Sequence, residues 1–217
     1  MARLSSAFRL RSGQARPLLC YITDRNAVAG GDLAPVITGA VAARLDLIQI
    51  RERDLPARLL LALVEAAVAR AQGTSTRILV NDRLDVALTA GAGLHLPTHG
   101  FAVADVRRAY PELLIGASCH NLEELGRAEA GGADFAVFGP VFETPSKNTY
   151  GPPLGVEKLA EAARAAKIPV LALGGVTLAN AAACLQAGAA GLAAISLFQQ
   201  AADLADTVRR LRALASE

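Results

Sequence analysis

Short apolar runs recur along the chain, each followed by a polar stretch and then by an Ala- and Leu-rich segment of helical character. The runs cover 18–22, 47–50, 78–80, 93–96, 113–116, 135–138, 170–173 and 191–195. None shows the regular polar alternation of a half-exposed strand, as expected of parallel strands covered on both faces. The intervening segments predict helices over 33–43, 56–71, 83–90, 103–109, 122–130, 155–166, 178–187 and 202–215. Asn121 and Thr177 stand where helix-start residues are expected. Eight strand–helix units in a chain of this length predict one α/β domain over 18–217, a closed (β/α)8 TIM barrel. An open doubly wound sheet is the alternative, disfavoured because no G-x-G-x-x-G turn follows the first run.

Composition narrows the function. Apolar residues make up 53% of the 217, enough for both a barrel interior and a helix–sheet layer. Aromatics are only 4%, Trp is absent and the formal charge is +2, so neither base stacking nor a polyanion surface is supported. No apolar run reaches the length needed to span a bilayer. Cys20, Cys119 and Cys184 are widely spaced within apolar stretches, which reads as buried reduced thiols of a cytoplasmic protein rather than a zinc site or disulfide framework. Residues 1–17 carry Arg3, Arg9, Arg11 and Arg16 without an acid or a continuous apolar core. They read as a solvated, poorly ordered extension rather than a secretory signal.

In a barrel of this kind the active site is built from the loops after the strands, and the polar residues gather there. Run 2 leads through Gln49, Arg51 and Arg53, which strand periodicity places on one face. Two guanidiniums at one barrel mouth repel unless an anion lies between them, which a phosphate or pyrophosphate does well. The alternative is an ion-pair network with Asp24 or Asp82. Run 3 ends in Asn81-Asp82, run 4 in His95 to His99, and run 5 in Ser118-Cys119-His120. His95, between leucines, reads as a core or rim histidine, whereas His120 at a strand end suits proton transfer. After run 6 a long loop brings Thr144, Ser146 and Lys147, in the manner of a lid. Gly174-Gly175 after run 7, with Ile195-Ser196 after run 8, matches the common barrel phosphate site.

At these residues the chain resembles the thiamine phosphate synthase/thiazole tautomerase superfamily. The matching stretches are YITD at 21–24, QIRER at 49–53, NDRLDVAL at 81–88 and GASCH at 116–120. FGPVFETPSK at 138–147, GPPLG at 151–155, LGGV at 173–176 and AISLF at 194–198 follow. Each is weak alone; in this order on successive strand ends they are specific. The resemblance implies coupling of hydroxymethylpyrimidine diphosphate to a thiazole phosphate, with release of pyrophosphate and Mg2+ assistance. It implies that Gln49 and Asn81 contact the pyrimidine, that Arg51 and Lys147 hold the pyrophosphate, and that Asp82 binds Mg2+, weakly and through the substrate. Ser118, Thr144 and Ser146 would contact the diphosphate or the thiazole, and Gly175, Ile195 and Ser196 the thiazole phosphate. Partners are then small phosphorylated substrates; a homodimer or other homo-oligomer is compatible with this reading.

Two departures from the synthase pattern bear on function. Arg53 stands where the synthases have Lys, and the stretch Pro97-Thr98-His99-Gly100 lacks their second Mg2+-binding Asp. Both look similar to the thiazole tautomerase branch, which isomerises the thiazole phosphate by proton transfer and whose histidine would be His120. Retention of Gln49, Asn81, Asp82 and Lys147 points to the synthase. The expectation is therefore a synthase, with the tautomerase or a non-catalytic ligand-binding homologue as alternatives.

Overall fold

The computed structural model describes residues 16–144 and 152–214. Eight parallel strands close into a barrel in sequence order: β1 (Leu18–Ile22), β2 (Leu47–Ile50), β3 (Arg77–Asn81), β4 (Gly93–Leu96), β5 (Ile115–Cys119), β6 (Phe135–Phe138), β7 (Val170–Leu173) and β8 (Gly191–Ala194). β8 returns to β1, with Leu19 opposite Leu192. The sheet is thus closed, not open. Around it run α1 (Ala34–Ala42), α2 (Ala57–Ala71), α3 (Leu84–Ala90), α4 (Val103–Ala109), α5 (Leu122–Ala130), α6 (Gly155–Ala165), α7 (Ala181–Gln186), α8 (Ser196–Gln199) and α9 (Leu204–Ala213).

Period-two alternation splits each strand between two cores. One set fills the barrel interior and includes Leu18, Cys20, Leu47, Leu79, Phe135, Val137, Leu171 and Ala193. The other set, including Leu19, Tyr21, Ile48, Ile50, Val80 and Leu94, faces the helices. Both faces are buried, which is why the strands read as unbroken apolar runs.

Three local expectations are corrected. The fifth strand lies at 115–119 rather than 113–116, because Leu113 closes a turn onto the Tyr110 carbonyl (3.2 Å) and pairing with β6 continues to Cys119 opposite Phe138. Thr177 does not cap α7: the Asn180 side chain accepts from the Thr177 N–H (2.7 Å) and donates to the Gly175 carbonyl (2.9 Å). Asn121 does cap α5, accepting from the Glu124 N–H at 2.9 Å. The one-turn α8 starts at Ser196, expected in a loop; burying Phe198 edge-on against Tyr21 holds that turn on the sheet. The expected extension falls almost wholly on 1–15, outside the described residues.

Candidate active site at the C-terminal mouth of the barrel

A cavity of about 930 Å³ opens where the strands end. Gln49, Arg51, Arg53, Asn81, Asp82, Ser118, His120, Thr144, Gly174, Gly175, Ile195 and Ser196 all line it. These are the expected site residues apart from Ser146 and Lys147, which lie outside the described residues. A cavity of similar size, about 940 Å³, opens among strand starts and helix ends and contains none of them.

The interior strand positions explain the gathering. Inward positions recur every second residue, so Leu47 is followed by Gln49, Leu79 by Asn81, and Leu171 by Leu173. The uppermost inner layer therefore presents Gln49, Asn81, His95 and Ser118 from β2 to β5, facing Val137, Leu173 and Ile195 from the other side of the mouth. One wall offers hydrogen-bonding groups; the opposite wall is apolar. Gln49 and His95 are buried. His95 Nε2 lies 2.9 Å from Ser118 Oγ, so the ring, tilted against Phe135, fixes the hydroxyl. The sequence reading placed His95 in the core or rim and missed this contact. Its position two residues beyond the inward Gly93 was the available signal.

Arg51 and Arg53 enter the mouth from the chain beyond β2, not from the strand itself, which ends at Ile50. The Asp24 carboxylate accepts from the Asn26 N–H at 3.1 Å, capping the turn that follows. Arg83, also at the mouth, is engaged by Asp85 through two bonds of 2.8 and 2.6 Å, which holds the Asp85 carboxyl below its usual range. Glu52, between the two arginines, is buried at the edge of the same cavity and bonded to Thr23 and Arg25. His120 lines the cavity with Nδ1 3.0 Å from Glu124 Oε2.

Asp82 adopts a left-handed backbone (φ 63°), a conformation that Asp tolerates better than most residues. Its N–H donates to the His95 carbonyl at 2.9 Å. The loop after β4 presses on it: a Cβ at Gly100 would fall 2.6 Å from Asp82 Oδ1. That loop contributes Pro97, Thr98 and His99 to the cavity, but no carboxylate. Gly174 and Gly175 have positive φ values of 99° and 62°. Their lack of a side chain serves packing as much as ligand approach, because a Cβ at Gly174 would lie 2.6 Å from Pro140 Cα and one at Gly175 would strike the Glu143 carbonyl.

The family model described as thiamine monophosphate synthase matches residues 19–198. The chain belongs to this family. A relative from Geobacter sulfurreducens is 46% identical over 90% of this chain and 93% of its own. The thiamine-phosphate synthase of a Roseiflexus species is 40% identical over 91% of this chain and 84% of its own. Among solved structures, a thiamine phosphate pyrophosphorylase from Pyrococcus furiosus superposes with a TM-score of 0.81 at 30% identity, covering 93% of this chain and 97% of that one. The barrel of a 3-hexulose-6-phosphate synthase, 22% identical with a TM-score of 0.65, shares the fold. The residues singled out by the sequence thus line this chain's own mouth, Ser146 and Lys147 lying outside the described residues.

Proposed function

We propose that the chain is a thiamine-phosphate synthase of the cytoplasm, joining a pyrimidinylmethyl diphosphate to a thiazole phosphate. The observation that carries this is the two-sided mouth: a hydrogen-bonding wall flanked by guanidiniums, opposite an apolar wall ending in Ser196. Gln49 and Asn81 would hold the pyrimidine edge, while Arg51 and Arg53, with Lys147, would meet the diphosphate. Ser196 and the Gly175 backbone would hold the thiazole phosphate. In the reaction the bond from the pyrimidine methylene carbon to the diphosphate oxygen breaks, the bonding pair leaving with pyrophosphate. The thiazole nitrogen then forms the new bond to that carbon. Charge develops on the leaving group, so fixed cations at the mouth lower the barrier more than any proton transfer would. Ser118, oriented by His95, offers a hydroxyl to the same region.

The donor set fits magnesium only in a limited way. Asp82 supplies one carboxylate at the mouth, and among the described residues no group of three or more His, Cys, Asp or Glu could hold a metal. That suits an ion bound by one carboxylate and by the substrate's own phosphate oxygens. When bound it would neutralise charge on the departing pyrophosphate.

The His120–Glu124 pair at the mouth favours a second reading, thiazole tautomerisation by proton transfer. Coupling and isomerisation assays on the wild type, Asp82→Ala and His120→Ala, with and without chelator, separate the two. The synthase reading expects chelator-sensitive coupling that Asp82→Ala cuts about 10²–10³-fold and His120→Ala slows far less. Metal-independent isomerisation alone, lost with His120, would overturn it.

A further inference from the structure

Glu52 takes no part in the chemistry above, yet it stands between Arg51 and Arg53 and is buried, only 4% exposed. Pairing of β1 with β2 ends at Ile22 opposite Gln49. One further backbone bond, from the Thr23 N–H to the Gln49 carbonyl at 2.9 Å, ties the two chains together, and beyond it side chains take over. Glu52 Oε1 accepts from Thr23 Oγ1 at 2.5 Å, and Oε2 accepts from the Arg25 N–H at 3.1 Å, with Arg25 Nε 3.8 Å away. Thr23 is fully buried. Its Oγ1 in turn accepts from the Arg51 N–H at 3.0 Å.

A hydroxyl has one proton and two lone pairs. With its proton committed to Glu52, the Thr23 oxygen is oriented so that a lone pair meets the Arg51 N–H. A buried carboxylate is costly unless bonded; here burial pushes its pKa up while the bonds from Thr23 and Arg25 pull it back. A threonine and a neutral residue could tie two loops together without that cost. What the carboxylate adds is a fixed hydrogen-bond direction at the residue where the diphosphate-facing chain leaves β2.

We infer that Glu52 is a positioning residue for Arg51, acting through Thr23 to fix the backbone from which the Arg51 guanidinium meets the diphosphate. This rests on the proposed function, in which Arg51 faces that group. Glu52 lines the same cavity, but both its carboxylate oxygens are engaged by Thr23 and Arg25.

The test measures affinity for inorganic pyrophosphate with Mg2+, and for thiazole phosphate, by calorimetry on the full chain. Glu52→Gln places an NH2 where one of two donors already points, and Thr23→Val removes the relay while keeping shape. Each is expected to weaken pyrophosphate about tenfold, the scale of one hydrogen bond to a charged group. Thiazole phosphate, bound across the mouth, should be unaffected, and Thr23→Ser should restore pyrophosphate binding. Combined with Arg51→Ala, neither variant should weaken pyrophosphate further. Wild-type pyrophosphate affinity in both variants, equal weakening for both ligands, or additivity with Arg51→Ala would overturn the inference alone. If Arg51→Ala itself left pyrophosphate affinity unchanged, the reading of the mouth would fail and this inference with it.

Discussion

At the scale of single residues, the metal question turns on the loop after β4. Asp82 is held in its left-handed conformation with Gly100 packed on its carboxylate, while Thr98 and His99 occupy the stretch where the synthase pattern has its second Asp. On the proposed reading one carboxylate would leave magnesium bound mainly through the substrate, so the enzyme is expected to need more Mg2+ than a two-carboxylate synthase. Introducing Thr98→Asp or His99→Asp should lower the Mg2+ concentration that gives half-maximal coupling. Asp82→Ala should cost about 10²–10³-fold in turnover, typical of removing one preorganised electrostatic partner. A Mg2+ titration of coupling rate on the four proteins checks both; identical half-saturation in wild type and the Asp-introduced variants would rule out this account of the loop.

At the scale of elements, the two glycines after β7 show why a substitution there cannot report on phosphate binding. Their backbone angles alone cost a side chain about 1–3 kcal/mol, and the chain from Pro140 to Glu143 already occupies the space. Gly175→Ala is therefore expected to lower the melting temperature by several degrees, roughly 2–4 °C per kcal/mol in a chain of this size. Ser196→Ala, on the rim and without such packing, should leave the melting temperature unchanged while weakening thiazole phosphate; thermal scans with and without the ligand test the contrast. The same elements mark what the sequence made legible. Apolar runs located the eight strands, because a strand buried on both faces leaves little room for polar residues. The fifth was displaced because Leu113 and Leu114 extend its apolar run backwards, while its true end is set by a partner strand. Strand-end position put Asn81 and Ser118 at the mouth and periodicity put Gln49, Arg51 and Arg53 on one face, and all five line the cavity. For Glu52 periodicity indicates only a face other than that of the arginines, not the hydrogen bonds to Thr23 and Arg25, which depend on a neighbouring strand. The reason for Gly174 and Gly175 was equally hidden, because it lies in a loop from another strand.

At the scale of the whole molecule, closure depends on the end of the barrel opposite the site. Asp46, just before β2, accepts from the Leu19 N–H at 2.8 Å and from Arg212 of α9 at 2.8 Å, and its backbone carbonyl takes the Arg77 N–H of β3 at 2.8 Å. The same device recurs four strands later. Asp134, before β6, accepts from the Ile115 N–H at 2.7 Å and from Arg107 at 2.8 Å. The two clasps differ in burial: the Asp46 and Arg212 side chains are 5% and 15% exposed, those of Asp134 and Arg107 37% and 23%. Removing one member of a buried pair strands the other, at about 3–5 kcal/mol, whereas a more exposed pair is worth less. Asp46→Ala should therefore destabilise the barrel more than Asp134→Ala. Three buried thiols allow the site of opening to be read. Burial raises Cys20 and Cys119 to about 12 and Cys184 to about 11, so none is a thiolate at neutral pH in the closed barrel. Native protein should react slowly with a thiol reagent at all three. Asp46→Ala loosens β1 from β2 and α9, so Cys20 on β1 should be labelled before Cys184 on α7. Asp134→Ala should instead favour Cys119 on β5. Mass spectrometry of peptides from time-quenched labelling distinguishes the two patterns. If all three cysteines label at one common rate in both variants, the barrel opens only as a unit and the clasps set its overall stability without localising where it gives way.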